Sequence, residues 1–110
     1  MYEIKAEDTF IQDVNRWSKK VTELWDEIQA ITSYMQETGE IPEEYDPHLL
    51  TNEDLNYVGY FEFHLFEGKL DLLVIHTKNR NKKVFRLVRL GSHNESVSYT
   101  HLTLPTTPYV

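Results

Sequence analysis

Residues 61–76 constrain the fold more than any other stretch of this chain. Aromatic and β-branched residues dominate both sides of the segment Glu67-Gly68-Lys69. This composition is typical of paired strands, and glycine favours the turn between them because it adopts a positive φ at little cost. We therefore predict a β-hairpin. His64 and Asp71 are polar side chains that a purely structural hairpin does not require, so we expect the hairpin to form the floor of an active site.

The region before the hairpin carries a single apolar stripe at helical spacing. Its members recur every three or four residues without an intervening glycine or proline: Phe10, Val14, Trp17, Val21, Leu24, Ile28, Ile31 and Met35. Thr9 and Gln12 match the capping-box pattern of a helix start, and Gly39 marks the end. Periodicity alone fits one long helix or two helices that turn near residues 18–22. A domain this small would leave half of one long stripe unburied, so we favour two helices, with both tryptophans in the core.

Short apolar segments at residues 2–5 and 84–90 supply an opening edge strand and a third strand after the hairpin. The predicted element order is β-α-α-β-β-β. We therefore predict an α+β fold in which two N-terminal helices pack on a twisted antiparallel sheet. A chain of 110 residues fits one domain, which we place at residues 1–95.

Residues 96–110 differ from the rest because they contain no Asp, Glu, Lys or Arg and many threonines. They resemble translated adapter sequence and are expected to be a non-native tail. Deleting them should leave the melting temperature nearly unchanged.

The chain contains no cysteine, which excludes disulfides, a thiol nucleophile and a cysteine zinc site. No apolar run approaches the length of about 18 residues that spans a membrane, and the N-terminus lacks the apolar core of a signal peptide. We therefore expect a cytoplasmic protein with no membrane partner.

The formal charge of −7 conceals an uneven distribution along the chain. Residues 1–47 contain twelve acidic and four basic residues, whereas residues 72–94 contain six basic residues and no acid. Two solvated faces of opposite sign would account for this pattern. It also fits a phosphate-binding strip on the C-terminal strands, with the acidic helices turned away. The candidate RNA-contacting residues are Lys78, Arg80, Lys82, Lys83 and Arg86.

Five side chains from distant parts of the sequence could carry chemistry: His48, His64, Asp71, Arg89 and His93. Imidazoles exchange protons near neutral pH, and arginine binds phosphate through parallel hydrogen bonds. Such a set suits metal-free RNA cleavage, in which the 2′-OH attacks the neighbouring phosphorus. Each histidine taken alone is more often structural. His76 could join His64 in a metal site, but no pair has metal-ligand spacing, so we predict no metal and no cofactor.

Several motifs in order carry a family resemblance over about residues 2–95. They are Tyr2-Glu3-Ile4-Lys5, Phe10-Ile11-Gln12-Asp13-Val14, Ile41-Pro42 with Tyr45-Asp46-Pro47-His48-Leu49-Leu50, His64 with Asp71-Leu72-Leu73-Val74-Ile75, and Leu87-Val88-Arg89-Leu90-Gly91-Ser92-His93. Together they resemble the YafQ type of the RelE superfamily, the mRNA-cleaving toxins of bacterial type II toxin–antitoxin systems.

The resemblance implies a compact α+β toxin that cleaves mRNA in the ribosomal A site. It also implies an antitoxin from the same operon that binds the toxin in a hetero-oligomer. The family's site residues fall on the five candidates above. We expect His48 or Asp71 to accept the 2′-OH proton and His93 to protonate the leaving oxygen. His64 and Arg89 would stabilise the phosphorane.

The chain departs from the family pattern at Val97, which stands where the family has a final aromatic residue, and at His76, where many members have tyrosine. It is also more acidic than many ribosome-directed toxins. Two alternatives therefore stay open. One is a non-enzymatic gyrase inhibitor on the same fold, as in ParE-like toxins, and the other is an inactive homologue that only binds its antitoxin.

Overall fold

The structure is a computed structural model that describes residues 1–49 and 60–92. In chain order the elements are β1 (Glu3–Ala6), α1 (Asp8–Ser18), α2 (Leu24–Thr38), β2 (His48–Leu49), β3 (Phe61–His64), β4 (Leu73–Asn79) and β5 (Val84–Gly91). The predicted α+β class, with two helices packed on a sheet, is confirmed. The short strand β2 is an element that the sequence did not reveal. His93, Val97 and the predicted tail at residues 96–110 lie outside the described residues.

The strands form one five-stranded sheet in the order β1-β5-β4-β3-β2. Neighbours from β5 to β2 are antiparallel, whereas β1 runs parallel to β5 with Ile4 opposite Phe85. The sheet is therefore mixed rather than wholly antiparallel. The first strand, β1, pairs with the last described strand, β5. The two helices follow β1 in the chain and pack on one face of the sheet.

The break between the helices falls where the burial argument places it. The carbonyl of Trp17 accepts hydrogen bonds from the amides of Lys20 and Val21, which turns the chain after α1. Gly39 ends α2 in the left-handed region at φ 71°, and its amide donates to the carbonyl of Met35. A Cβ on Gly39 would lie 2.5 Å from the Tyr2 ring, so both conformation and space require glycine there.

Two faces of the sheet follow from the alternation of side chains along each strand. The inner face packs on the helices and contributes Phe63, Val74, Phe85, Leu87 and Leu90 to the core. The helices contribute Phe10, Val14, Leu24, Ile28, Ile31 and Met35. Each of these buried side chains stabilises the fold by roughly 1.5–3 kcal/mol. The outer face carries Glu62, His64, Ile75, Arg86 and Arg89.

Trp25 does not join the core, because its side chain is 46% exposed on α2. Trp17 packs partly buried against the core, as expected. Within the described residues, neither helix is both long and apolar enough to cross a bilayer.

The predicted cap at Thr9 is wrong. α1 begins at Asp8, and Glu7 at the N-cap position makes no side-chain cap. Thr9 instead donates its hydroxyl to the carbonyl of Val88 on β5, at 2.7 Å. The pairing of β1 ends opposite Leu87, so the edge of β5 beyond that point needs other partners, and α1 supplies them.

The hairpin turn is wider than predicted. β3 ends at His64 and β4 begins at Leu73, with a 3₁₀ segment at Leu65–Gly68 between them. Phe66, Glu67 and Gly68 all have positive φ, which only glycine adopts without strain. A hydrogen bond from the Phe66 amide to Glu27 on α2 helps to hold this conformation.

Candidate active site

His48 lies between two oxygen atoms at the edge of the sheet. Its Nδ1 is 2.8 Å from the Asp46 carbonyl oxygen, and its Nε2 is 2.6 Å from Oε1 of Glu62. The second contact follows from strand register, because β2 places His48 directly opposite Glu62. Directly opposite residues of antiparallel strands point to the same face, so both side chains lie on the outer face.

The two partners of His48 determine its charge. A carbonyl and a carboxylate both accept hydrogen bonds, so both ring nitrogens carry hydrogen in this arrangement. Burial alone lowers the pKa of His48, but the Asp46 carbonyl and the Glu62 carboxylate together outweigh it, and the pKa is raised above its usual value. The site therefore favours an imidazolium at His48.

His64 lies beside His48 on the same face. The ring centroids are 5.9 Å apart in a stacked arrangement at 29°. Oδ2 of Asp46 is 3.9 Å from Nε2 of His64 and also 3.9 Å from Nδ1 of His48. The His64 side chain is 25% exposed, so its ring remains accessible from solvent. The His48 side chain is 43% exposed, so both rings can be reached from solvent. Among the described contacts, His48 differs in having an acceptor at hydrogen-bond distance from each ring nitrogen.

Arg89 is held on the same face by Asp13 of α1. Nε of Arg89 donates to Oδ2 of Asp13 at 2.8 Å, and Nη2 donates to Oδ1 at 3.1 Å. Oδ2 also accepts the backbone amide of Leu90 at 3.0 Å. These contacts fix the guanidinium in a bidentate pair that is largely buried.

Strand register relates the arginine to the histidines. His48, Glu62, Ile75 and Arg89 lie opposite one another in sequence across β2, β3, β4 and β5. Adjacent strands are about 4.8 Å apart, so the backbones of Glu62 and Arg89 are roughly 10 Å apart. His48, His64 and Arg89 therefore share the outer face of the sheet.

A partly buried polar contact positions the loop that carries His48. The Tyr45 hydroxyl donates to Oε2 of Glu27 on α2 at 2.9 Å. Burial, together with this carboxylate, raises the pKa of Tyr45 to about 12, so the hydroxyl keeps its proton. The same oxygen of Glu27 accepts the Phe66 amide, which ties the loop before β2 to the loop after β3.

Two predicted residues are not placed in this group. Asp71 lies exposed in the bend before β4, so its predicted role stays a prediction. His93 lies outside the described residues, so its predicted role stays a prediction. His76 is buried on the inner face between Phe61, Phe63 and Phe85, and does not join His64.

Basic residues of β1, β4, β5 and the turn between β4 and β5 line a groove of about 480 Å³. Its lining contains five cations and no acidic residue: Lys5, Lys78, Arg80, Lys82 and Arg86, with Thr77, Asn79 and Val84. Thr77 lies two residues from Ile75 on the same face of β4, about 7 Å along the strand. The groove is therefore continuous with the outer face that carries the histidines.

The cations of this groove differ in their freedom. Nζ of Lys78 donates to the Gly39 carbonyl and lies 5.2 Å and 5.4 Å from the ring centroids of Tyr2 and Phe85. Its charge is therefore engaged within the protein. Arg86 lies 3.5 Å from a carboxylate oxygen of Glu7. Lys83 is exposed but does not line the groove.

Sequence reasoning missed three acidic residues of the site. Asp13 binds Arg89. Asp46 lies near both histidines, and Glu62 contacts His48. Glu62 offered a signal, because it stands two residues before His64 on a strand and so shares its face. Asp13 offered none, because its contact depends on where α1 crosses β5.

A metal ion could also find ligands here. Asp46, His48 and His64 each offer one ligand atom within 4.8 Å of the others. His48 would have to give up a hydrogen bond to coordinate an ion, because both of its nitrogens are engaged. Metal binding would therefore change the contacts of His48, whereas proton transfer at this site would leave them in place.

Residues 2–97 match the family described as "Bacterial toxin of type II toxin-antitoxin system, YafQ". No curated protein sequence gives a significant match. Among solved structures, a metal-bound toxin from Helicobacter pylori superposes with a TM-score of 0.67 at 25% identity, covering 86% of this chain and 98% of that one. YafQ from E. coli gives 0.66 at 21% identity, covering 87% and 98%. YafQ in the E. coli DinJ-YafQ complex gives 0.64 at 22% identity, covering 86% and 96%.

Proposed function

Since this chain belongs to the YafQ family of bacterial toxins of type II toxin–antitoxin systems, we propose that it is an endoribonuclease that cleaves mRNA in the ribosomal A site. The observation that carries the proposal is the stacking of His64 on His48, whose two ring nitrogens both face acceptors, on the face that also holds Arg89. Acid–base groups beside fixed cations are what cleavage of a phosphodiester by its own 2′-OH requires.

His64 is the better candidate for the general base. Its ring accepts no described hydrogen bond, whereas both nitrogens of His48 already face acceptors. A base must reach the proton that it removes, and the exposed part of the His64 ring permits this. In the proposed step His64 takes the 2′-OH proton, and the 2′-oxygen attacks the adjacent phosphorus.

His48 and Arg89 then stabilise the negative charge of the phosphorane. Both ring nitrogens of His48 face acceptors, which favours its cationic form, and Arg89 is fixed by Asp13 before any substrate arrives. Fixed cations cost no reorganisation during the reaction, which is why they lower the barrier more than water does. This assignment gives His48 an electrostatic role in place of the base role considered from sequence.

The leaving 5′-oxygen needs a proton when its bond to phosphorus breaks. We assign that proton to His93, three residues after Leu90 in the chain. The products are a 2′,3′-cyclic phosphate and a 5′-hydroxyl end, so the reaction is balanced without any other reactant. Asp71 keeps a supporting role in the proposal as an anion near the start of β4.

The basic groove would hold neighbouring phosphates of mRNA or ribosomal RNA. Arg80, Lys82 and Arg86 line it, Lys83 lies exposed beside it, and Lys78 supports its wall. Lys5 from β1 joins this set across the sheet. Phosphate contacts of this kind position a nucleic acid without reading its sequence.

An antitoxin partner follows from the family and from the DinJ-YafQ complexes of E. coli, in which a chain of this fold is bound by its antitoxin. We propose that this chain likewise forms a hetero-oligomer with an antitoxin in the cytoplasm, and that complex formation blocks cleavage.

The test is controlled expression of the chain in bacteria, followed by mapping of RNA 5′ ends. New 5′-hydroxyl ends within codons are expected, together with growth arrest. An SOS response with intact mRNA would overturn the proposal in favour of gyrase inhibition. Growth without either response would indicate an inactive homologue.

A further inference from the structure

An open cavity of about 310 Å³ lies on the inner side of the sheet, at the end that the helices do not cover. It is bounded by the end of α2, the loop before β2 and the ends of β3, β4 and β5. Its size falls at the lower end of the range for small-molecule sites. The cavity lies apart from the histidine pair, but the two share one segment, because Pro47 lines the cavity and His48 belongs to the pair.

A buried imidazole lines the cavity. His76 lines it and is 3% exposed, and its Nδ1 has no hydrogen-bond partner in the described part of the chain. Burial lowers the pKa of His76 to about 4, against the smaller opposing effect of the Val74 carbonyl, so the ring is neutral at physiological pH. No hydrogen bond of good geometry forms at Nδ1 within the described residues, although the Val74 carbonyl acts on the ring, so a ligand that exchanges a hydrogen bond with this nitrogen would satisfy it.

Aromatic rings make up the walls. Phe61 lies 5.9 Å from the His76 ring and Phe85 lies 6.2 Å from it. Phe61 is 37% exposed, which is unusual for a phenylalanine, and its cross-strand neighbour Leu49 is exposed as well. An accessible aromatic ring beside a neutral imidazole is a surface on which a planar heterocycle stacks.

Charged groups stand at the rim. Arg80 lines the cavity and is exposed, with no ion-pair partner among residues 1–49 and 60–92. Lys78 is fixed beside it by the Gly39 carbonyl. Glu40 also lines the cavity and can accept hydrogen bonds from an amino group or ring N–H of a base. The set therefore combines a stacking surface, a buried hydrogen-bonding nitrogen and a phosphate-binding cation.

We propose that this cavity binds one nucleotide of single-stranded RNA, with the base against Phe61 and His76 and the phosphate at Arg80. The proposal rests on the proposed function in taking RNA as the ligand. Because Pro47 and His48 are adjacent, a strand whose scissile phosphate lies at the histidine pair can pass over the short strand β2 and insert a neighbouring base. The cavity would then hold a base next to the cleavage position.

The test uses mononucleotides, so that binding is measured without cleavage. The 5′-monophosphates of adenosine, guanosine, cytidine and uridine are titrated into the protein and followed by amide and imidazole NMR shifts. Shifts are expected at Phe61, His76 and Arg80, with inorganic phosphate affecting Arg80 alone. Phe61→Ala should weaken nucleotide binding about tenfold, as loss of a base-stacking ring does. Trp25→Ala is the control, since it removes another exposed aromatic ring, from α2 and outside the cavity lining.

Two further variants separate this proposal from the proposed function. His64→Ala should bind nucleotides like the natural chain even if it no longer cleaves RNA. His76→Phe keeps the ring and removes the nitrogen, and should weaken base binding while leaving the phosphate response at Arg80. Shifts confined to the groove at Lys5 and Arg86, or equal binding by Phe61→Ala, would overturn the proposal. RNA cleavage could persist in that event, so the two conclusions fail independently.

Discussion

On the outer face of the sheet His48 lies between a carbonyl and a carboxylate, whereas on the inner face His76 lies among three phenylalanine rings. The two imidazoles therefore differ in their tendency to take up a proton. The pKa of His48 is raised and that of His76 is lowered to about 4. The difference arises from the partners that register supplies, because Glu62 faces His48 and Phe61 faces His76. The outer face thus suits proton transfer and charge stabilisation, and the inner face suits neutral hydrogen bonding.

The largest effect that would test this contrast is expected at His64. His64→Ala removes the proposed base, and a positioned base contributes about 10²–10⁴ in rate. Ribosome-dependent mRNA cleavage should fall by that factor, while circular dichroism and the melting temperature change little, since the side chain makes no described hydrogen bond. Undiminished cleavage would remove His64 from the mechanism and leave the outer face without its proton acceptor.

The next effect concerns the stability of the outer face. Asp13→Ala removes the acceptor for Arg89 and for the Leu90 amide, and both Asp13 and Arg89 are largely buried. Breaking such a pair should lower the free energy of unfolding by about 3 kcal/mol, measured by urea denaturation. Asp8→Ala, an exposed acid in the first turn of the same helix, is the control and should cost roughly 0.5 kcal/mol. Equal losses from the two variants would show that the pair contributes nothing specific.

The two histidines should also respond to pH in opposite directions. The unfolded chain takes up a proton at residue 76 below pH 6.5, whereas the folded protein resists protonation until about pH 4. Stability from this site is therefore complete above pH 6.5 and falls by about 3 kcal/mol as the pH drops to 4. The contribution of His48 is present below pH 6.5 and is lost as the pH rises through its raised pKa. In urea denaturation from pH 4 to 8, the free energy of unfolding of His76→Phe should fall less steeply below pH 6.5 than that of the natural chain.

If the free energy of unfolding of His76→Phe falls as steeply below pH 6.5 as that of the natural chain, then His76 does not resist protonation in the folded protein. The comparison depends on the slope with pH rather than on the absolute stability, because the larger phenylalanine ring can alter packing at every pH equally.

The smallest effect is expected in the basic groove. Lys82→Ala removes one cation from its lining. The slope of the logarithm of the RNA-binding constant against the logarithm of salt concentration should become shallower by about one. Lys19→Ala, an exposed cation at the end of α1, should leave the slope unchanged. Fluorescence anisotropy with a short single-stranded RNA at several salt concentrations measures both. Equal slopes in the two variants would indicate that RNA does not use the groove.

Local patterns predicted the elements better than their partners. Two sequence signals are local: the apolar spacing from Phe10 to Met35 and the glycine at position 39. Both helices lie where these signals predict them. The parallel pairing of β1 with β5 joins residues about eighty positions apart, and nothing in residues 2–5 indicates it. Thr9 was misread for the same reason, since its partner Val88 is equally distant in sequence.

The site divides in the same way. His48, His64 and Arg89 could be selected from residue type and from the family resemblance, and the outer face brings them together. Their acidic partners could not be selected, because Glu62 reaches His48 through strand register and Asp13 reaches Arg89 through helix packing. Lys78 shows that residue type can also mislead. Its charge suggested contact with RNA, but its ammonium group is held by the Gly39 carbonyl and two aromatic rings.

The contacts of Thr9 and Asp13 with β5 have a consequence for self-association. An uncovered strand edge offers amides and carbonyls to any other extended chain, and folded proteins avoid this by blocking it. Here a hydroxyl and a carboxylate from α1 occupy Val88 and Leu90, so this part of β5 is closed to an incoming strand. Because side chains provide the block, single substitutions at Thr9 or Asp13 can open it and promote aggregation while leaving every strand of the sheet in place.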